Sequence, residues 1–388
     1  MKAMGEAIKE LVEDWNKEIN GLTLQEWANE LYNAVKEKIT KEKLTFKVVN
    51  PGTVMKLLFL WKYMRNPYLH IMASRRDELK RKRRNAKLFY LDLYAGNGVV
   101  EVKIEDDSIK IPGSSVLALL APILLHQERK QTPPYGYYWD LIVLNDIDDS
   151  YRKLLRERYQ YILKQTTLMP IYRIYHALPS EVKDKWVAIT EYNCEKDETW
   201  NFFKQYFLQT VKGPKGWIHG LIFLDPPSPS AMPFRFLKKL LTVPSDIIAL
   251  LHTGIFVKHV YEQKYTVDTL ANILDCDKSK AESLLQKTHS YEELEKEYVN
   301  EFRNLLQSVM MQGISKGSPY RDFVKEIRLY TGKGHYHLIV ATRTTAGQEY
   351  EKWRSWFAKF AEEVEELSKY DRLDHAVINI LTGRQATL

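Results

Sequence analysis

Largely apolar stretches alternate with amphipathic stretches through the middle of the chain. The apolar stretches are short and mostly uncharged, which is typical of strands that are covered on both faces of a sheet. The predicted strands are the stretch that begins at Leu88, Leu141–Asp146, Ile171–His176, Trp186–Ile189, Ile218–Leu224 and Ser245–Leu251. Helical spacing between these stretches predicts an α/β fold with a mostly parallel sheet.

Two further patterns predict antiparallel hairpins. Val99–Ile104 and Ile109–Ile111 flank a polar turn, and they predict a hairpin inserted after the first strand. Phe323–Tyr330 and Tyr336–Ala341 flank a glycine-containing turn, and they predict an antiparallel C-terminal pair that completes the sheet.

The remaining regions show helical spacing of apolar residues. The stripe from Ile8 to Trp15 predicts one amphipathic helix, and Thr23 with Glu26 forms a capping-box pattern ahead of a second. Eight of the thirteen residues in Arg75–Lys87 are basic, which predicts either a solvated helix face or linker, or a border of the ligand cleft that holds phosphates. The predicted divisions are a helical N-terminal region at 1–85, a sheet domain at 86–265 and 313–388, and a helical insertion at 266–312.

Composition narrows the class of protein. The chain has 388 residues, of which 45% are hydrophobic and 28% are charged, as in ordinary soluble globular proteins. The apolar run Val116–Leu125 is too short to span a bilayer, and the charged N-terminus resembles neither a signal peptide nor a transit peptide. Two cysteines make no disulfide framework and no self-contained zinc site. We therefore expect a cytoplasmic protein with no membrane association and no metal.

Charge and aromatic content leave the partner open. The formal net charge of +7 permits binding to nucleic acid without requiring it. The 24 tyrosines could stack on bases, although most aromatic side chains of a globular protein lie in its core or are half-buried. The choice of ligand therefore depends on the residues at the ends of the strands.

The first predicted strand runs into a glycine loop. Asp92, Tyr94, Gly96 and Gly98 alternate along Asp-Leu-Tyr-Ala-Gly-Asn-Gly. Glycine allows a sharp turn and the close approach of a ligand, and Asp92 would stand near the carboxyl end of the strand, where open α/β sheets bind ligands. Glu101 occupies the place of the third glycine of a dinucleotide fingerprint, which argues against a nicotinamide or flavin cofactor. An ordinary strand-to-turn junction is the alternative.

Asp146 ends the next strong strand candidate. Its carboxylate could accept hydrogen bonds from both hydroxyls of a ribose. The alternative is that Asp146 caps the following helix, but Asp148 already fits that role. The turn around Asn193 could border an adenine ring. Together with the glycine loop, these positions suit S-adenosylmethionine. The predicted cofactor-binding residues are Asp92, Tyr94, Gly96, Gly98, Asp146 and Asn193.

The strand Ile218–Leu224 ends in Asp225-Pro226-Pro227-Ser228. Prolines lack an N–H and fix the backbone, so the Asp225 side chain and the nearby carbonyls would be held as hydrogen-bond acceptors aimed out of the sheet edge. A rigid strand-to-helix turn is the alternative. Beside a methyl donor, such acceptors suit an in-line methyl transfer in which placement supplies most of the catalysis.

The glycine loop and the Asp-Pro-Pro turn together resemble the motif pair of methyltransferases that act on exocyclic amines of nucleic-acid bases. In that group, the Asp side chain and the carbonyl of the following proline accept hydrogen bonds from the amine, and an aromatic fourth residue stacks on the flipped base. The resemblance implies a set of catalytic residues that consists of Asp225, Pro226, Pro227 and Ser228. Ser228 departs from the pattern because it cannot stack. Phe234, Phe236 or a residue of the helical insertion would then replace the ring, or the substrate is not a flipped base.

Most of the chain, from about Lys56 to Trp356, resembles the three-Cys-motif partner family of methyltransferase-like proteins. The matching segments are Lys56–Tyr63, the glycine loop, Gly113–Ser115, the Asn193-Cys194 region, Phe223–Pro226 and Tyr336–Ala341 ahead of Trp353. This resemblance implies a Rossmann-like methyltransferase fold and a possible protein partner, and the family's three cysteines belong to that partner. Pro227 departs from the family's usual pattern toward the amine methyltransferases.

Three functions stay open on these residues. The first is an S-adenosylmethionine-dependent methyltransferase that acts on an exocyclic amine of an RNA or DNA base. The second is a catalytically inactive, methyltransferase-like nucleic-acid-binding or adapter protein that works with a partner, which Ser228 and the basic run favour. The third is a methyltransferase for a protein or a small molecule.

Overall fold

The computed structural model describes most of the chain. The described residues are 13–44, 48–49, 52–104, 107–128, 137–165, 173–175, 186–193, 196, 203, 216–286, 290–308, 321, 323–331, 334–342, 355, 357–362 and 364–365. Ile8 of the first predicted helix and Cys194 lie outside them. The chain divides into two compact units, one formed by 1–192, 213–218 and 366–388 and the other by 193–212 and 219–365.

Helices begin the first unit and flank its strands. In chain order they are α1 Leu24–Asn33, α2 Lys36–Glu42, α3 Gly52–Tyr63, α4 Leu69–Arg81, α5 Ser114–Glu128 and α6 Asp149–Gln165. The predicted capping box is confirmed at α1, where the Thr23 hydroxyl accepts from the Glu26 N–H at 3.3 Å and the Glu26 carboxylate accepts from the Thr23 N–H at 2.7 Å. A π-helical stretch that contains Pro67 joins α3 to α4.

The strands of the first unit belong to a parallel series and to a small separate sheet. In chain order they are β1 Val48–Val49, β2 Asn85–Asp92, β3 Val99–Ile104, β4 Asp107–Pro112, β5 Leu141–Asn145, β6 Arg173–Tyr175 and β7 Trp186–Thr190. Strands β2, β5, β7 and β6 lie side by side in this order, and β5 pairs in parallel with both β2 and β7. The predicted hairpin of β3 and β4 is confirmed, and β1 pairs in parallel with β3.

The second unit contains a parallel pair of strands and an antiparallel hairpin. Its strands are β8 Gly216–Leu224 (from His219 onward), β9 Ser245–Leu251, β10 Phe323–Thr331 and β11 Gly334–Thr342. Its helices are α7 Phe234–Leu240, α8 Thr253–Tyr261, α9 Val267–Leu274, α10 Lys278–Gln286 and α11 Tyr291–Ser308. The order is β8, β9, β11, β10, so the last strand in the chain lies between β9 and β10 and is antiparallel to both. The predicted C-terminal hairpin is therefore confirmed.

The fold is mixed α/β, as predicted, with mostly parallel strands, helices between successive strands and one antiparallel C-terminal pair. This is the arrangement of the Rossmann-like methyltransferase fold. Every residue of β5 and β9 is buried, because a strand that is covered on both faces has no solvent-facing side. The division into N-terminal region, sheet domain and insertion stays a prediction. Within the described part of the chain, the search for a helix with the length and apolar character of a membrane span found none.

Buried arginines tie elements together inside each unit. In the first unit, Arg76 is 1% exposed and pairs with Asp140, which precedes β5. In the second unit, the fully buried Arg321 donates to backbone carbonyls between residues 241 and 245 at 2.8 to 3.1 Å. Each guanidinium satisfies buried acceptors, so the charge is stabilised where an unpaired one would be costly.

The basic run Arg75–Lys87 spans the junction of α4 and β2. Strand β2 begins at Asn85 and not at Leu88, so the end of the run belongs to the strand. The run lies at the amino end of β2, and seven steps of about 3.3 Å place Asn85 roughly 23 Å from Asp92. It therefore forms a helix end and a turn, and the alternative in which it borders the glycine loop is wrong.

Candidate functional site

The glycine loop after β2 uses its two glycines differently. Gly96 has φ +60° and Gly98 has φ +88°, conformations that favour glycine. A Cβ on Gly98 would lie 2.9 Å from Leu155 Cδ1 and 3.0 Å from Val116 Cγ2, whereas a Cβ on Gly96 would have no atom within 4 Å. Gly98 is therefore required for packing, and Gly96 leaves open space beside the loop.

The loop is held from below by a buried arginine. Arg158 of α6 donates to the backbone carbonyl of Asn97 and, at 2.7 Å, to Asn97 Oδ1. The same Oδ1 accepts from the Val99 N–H at 3.1 Å. Burial lowers the pKa of Arg158 to about 9, which leaves its guanidinium charged at neutral pH. These bonds fix the loop without using the Gly96 side of it.

Asp92 lies beneath the loop and not on its surface. Its side chain is completely buried, and its Oδ1 accepts from the Tyr94 N–H at 3.1 Å. The Tyr90 hydroxyl donates to its Oδ2 at 3.4 Å. Asp92 therefore shapes the first turn of the loop, and Tyr94, which is half-buried, follows it. A direct contact of Asp92 with a ligand stays a prediction.

Asp146 and the glycine loop lie together, as the strand ends predicted. Asp146 Oδ2 accepts from the Gly96 N–H at 2.8 Å, and Oδ1 accepts from the Asp148 N–H at 2.9 Å. Asp148 Oδ1 accepts from the Tyr151 N–H at 3.2 Å and so caps α6. The helix cap is therefore Asp148, and Asp146 is a half-buried carboxylate at the tip of β5 that retains lone pairs for further donors.

Ile147 was missed by the sequence reasoning. It follows Asp146 and is 69% exposed, the largest exposure among the large apolar side chains recorded for the described residues. Arg152 donates to the carbonyls of Asp146 and Ile147 at 2.9 and 2.7 Å, so this exposed position is held by the start of α6. The available signal was an isoleucine between acids directly after a buried strand.

Asn145 connects the tips of three strands. Its Nδ2 donates to the carbonyls of Leu93 at 3.3 Å and Tyr192 at 2.9 Å, and its Oδ1 accepts from the Thr190 hydroxyl at 2.8 Å. The side chain is 1% exposed. Asn193, predicted to border an adenine, directly follows the segment that Asn145 holds and is half-buried. One buried amide thus sets the spacing of the β2, β5 and β7 tips.

The Asp-Pro-Pro turn belongs to the second unit. Asp225 and Ser228 are half-buried, Pro226 is buried, and Pro227 is exposed. His252, the residue after β9, places its Nε2 2.7 Å from the Pro226 carbonyl oxygen. Because a carbonyl only accepts, Nε2 must carry the proton and donate. This contact was not predicted, and it makes the Pro226 carbonyl a fixed, polarised acceptor.

Phe234 and Phe236 do not replace the missing aromatic residue at Ser228. They are 2% and 1% exposed, and Phe234 packs against Tyr298 and Phe302 of α11, with ring centroids 5.9 and 5.4 Å apart. These phenylalanines are core residues of the second unit, so the hypothesis that either one stacks on a base is wrong. The Ser228 hydroxyl lies 2.9 Å from the Ser230 hydroxyl.

A buried polar cluster lies beside the end of β9. The Thr253 hydroxyl is 3.1 Å from His337 Nδ1, and Glu295 of α11 lies 3.3 Å from that nitrogen and 2.6 Å from His335 Nε2. Arg328 donates to the other Glu295 oxygen at 2.7 Å. Burial lowers the pKa of His337 to about 4, although Glu295 acts in the opposite direction. His337 is therefore neutral at physiological pH.

Comparisons with known proteins assign the chain to no family. No family model and no curated protein matches it. It is similar to the crystal structure of LPL1258 from Legionella pneumophila, described by the family model DUF519, with 11% identity over 75% of this chain and 91% of that one and a TM-score of 0.30. It is also similar to a METTL16 MTase domain, with 9% identity over 89% and 92% and a TM-score of 0.29. Similarity this weak carries no argument about function, and the resemblance to the three-Cys-motif partner family stays a prediction.

Proposed function

We propose that this protein is an S-adenosylmethionine-dependent methyltransferase whose acceptor is an exocyclic amine of a nucleic-acid base. One observation carries the proposal: the Gly96 N–H is bonded to the Asp146 carboxylate, and the space beside Gly96 is open. A carboxylate next to an accessible backbone suits a ligand that has both hydroxyl groups and a cationic part.

The residues of the first unit fit this cofactor. Asp146 would accept from the ribose hydroxyls, and Ile147 would pack on the flat face of the adenine, which gives its exposed side chain a partner. Gly96 would admit the methionine part, with Tyr94 and Asn193 bordering the ligand, while Gly98 and Asp92 hold the loop from beneath. The bound cofactor would supply an activated methyl group.

The Asp-Pro-Pro turn would hold the acceptor amine. The Asp225 carboxylate and the Pro226 carbonyl would each accept one amine hydrogen, which aims the nitrogen lone pair at the methyl group. When the new N–C bond forms, the nitrogen must lose a proton, and Asp225 is the nearest base in the turn to receive it. His252 keeps the Pro226 carbonyl in place. Pro227 and Ser228 shape the exposed side of the turn.

Two variants test the proposal separately at the two sites. Asp146→Ala should weaken cofactor binding about 10- to 100-fold, because charge-assisted hydrogen bonds are lost. Asp225→Asn should leave cofactor binding unchanged and lower the turnover number about 10²- to 10⁴-fold. Calorimetry measures binding, and transfer of labelled methyl to fractionated RNA and DNA measures turnover. Asp148→Ala is the matched control, because it removes an adjacent acid that caps α6.

Wild-type protein that releases no heat with the cofactor or its demethylated product would contradict the proposal. A second candidate, a non-catalytic nucleic-acid-binding or adapter protein that works with a partner, is favoured by Ser228 and by the burial of Phe234. It predicts salt-dependent binding to nucleic acid that ignores the cofactor. Labelled protein or small molecules in place of labelled nucleic acid would instead identify a different acceptor.

A further inference from the structure

The turn between α4 and β2 carries five consecutive exposed cations, Lys80, Arg81, Lys82, Arg83 and Arg84, which we name the basic turn. Its backbone is defined by two bonds, from the Arg83 N–H to the Lys80 carbonyl at 2.9 Å and from the Arg84 N–H to the Leu79 carbonyl at 2.8 Å. The side chains therefore extend from a fixed backbone at the amino end of β2.

Acids neutralise only part of the surrounding charge. Glu78 pairs with both Arg75 and Lys82, and Asp140 pairs with Arg76. Within the described residues, no ion pair involves the other four cations of the basic turn, which are Lys80, Arg81, Arg83 and Arg84. Four adjacent like charges without counter-charges repel one another, and binding of a polyanion would relieve that repulsion.

Helix capping accounts for only half of these four charges. Lys80 and Arg81 lie in the last turn of α4, where cations interact favourably with the helix dipole. Arg83 and Arg84 lie beyond the helix end, where this effect has largely vanished. The basic turn also lies roughly 23 Å along β2 from Asp92, too far for these side chains to touch a ligand at the glycine loop.

We propose that the basic turn binds the phosphodiester backbone of the nucleic acid that carries the acceptor base. The guanidinium fork of arginine matches two phosphate oxygens. Leu79 and Ala86, which flank the turn, are 2% and 8% exposed, so neither is available to insert into a bilayer as membrane-surface segments do. The inference rests on the proposed function for the identity of its partner, but the binding itself does not require activity.

The test is the salt dependence of binding by the full chain. A quadruple variant, Lys80→Gln, Arg81→Gln, Arg83→Gln and Arg84→Gln, is compared with wild type by fluorescence anisotropy on duplex DNA and on single-stranded RNA. Each lost phosphate contact lowers the salt slope by about 0.9 on duplex DNA and about 0.7 on a single strand. Between 50 and 200 mM salt, four lost contacts remove roughly 100-fold of the wild-type change in affinity on duplex DNA.

A charge-matched control separates the basic turn from net charge. Lys36, Lys41, Lys43 and Lys103 are also exposed lysines of the first unit, and their replacement by glutamine should leave the slope unchanged. The proposal is overturned if the two quadruple variants behave alike, if the basic-turn variant keeps the wild-type slope, or if wild type binds anionic vesicles and neither nucleic acid. The comparison of DNA with RNA identifies the source of the phosphates. Loss of nucleic-acid binding with intact cofactor binding is distinguishable from failure of the proposed function, which the cofactor titration measures.

Discussion

Gly96 and Gly98 both adopt positive φ angles, but their surroundings differ. Gly98 packs against Leu155 and Val116, whereas the Cβ direction of Gly96 is open. A substitution at Gly98 should therefore act mainly on folding, and a substitution at Gly96 mainly on ligand binding. The contrast separates the structural and functional roles of one loop.

Gly98→Ala should lower the free energy of unfolding by about 3 kcal/mol, because backbone strain adds to overpacking. Gly96→Ala should cost about 1 kcal/mol from backbone strain and should weaken cofactor binding more than about tenfold, because the methyl group enters the open space. Denaturant unfolding and calorimetric titration measure the two quantities. Equal losses of stability with unchanged binding would contradict the assignment of Gly96 to the cofactor.

His252 permits a second test at the scale of single atoms. His252→Ala removes the donor to the Pro226 carbonyl, and we expect a turnover number about tenfold lower with unchanged cofactor affinity, in line with the loss of one hydrogen bond. His252→Gln should restore most of the turnover, because its Nε2 amide can donate over a similar reach. If the alanine and glutamine variants are equally slow, the hydrogen bond is not the cause.

At the scale of elements, local signals made the secondary structure predictable. The capping box of Thr23 and Glu26 and the alternation of β3 and β4 need no distant partner, and both are confirmed. The start of β2 was not predictable, because cations usually mark solvated segments and conceal a strand that begins at Asn85. The burial of Arg76 was equally hidden, because its partner Asp140 lies 64 residues away.

The candidate site was predictable where it depends on strand ends. Carboxyl ends of parallel strands meet at one edge, so Asp146 was expected near the glycine loop, and the Gly96 N–H bonds to it. The contact of His252 with Pro226 involves a backbone carbonyl, which a sequence does not single out. The burial of Phe234 depends on α11, whose packing partner no local pattern specifies.

At the scale of the whole molecule, the helical insertion is joined to the C-terminal hairpin by a carboxylate. Glu295 of α11 contacts His335 and His337 of β11 and Arg328 of β10. Burial opposes the ionisation of Glu295, but the hydrogen bond from His335 and the neighbouring positive charges offset it and hold its pKa below the usual range. The second unit therefore depends on a negative charge that acid would remove.

The free energy of unfolding should consequently fall as the pH is lowered. His337 is only 7% exposed and its folded pKa is about 4, below the unfolded value of about 6.5. Its contribution to stability is fully present above pH 6.5 and is lost as the pH falls to 4, because the unfolded state takes up the proton first. The loss from this group is about 3 kcal/mol, and protonation of Glu295 acts in the same direction at the acid end.

His337→Asn tests this pH dependence, because the asparagine amide can still meet the Thr253 hydroxyl but does not titrate between pH 4 and 6.5. Denaturant unfolding at a series of pH values should give a steep decline for wild type and a flatter one for the variant, with the two curves converging toward pH 4. The decline that remains in the variant measures Glu295 and the other acids of the chain. A variant curve that runs parallel to wild type over this range would show that His337 is already protonated in the folded protein, and that the cluster around Glu295 is held together by a second positive charge.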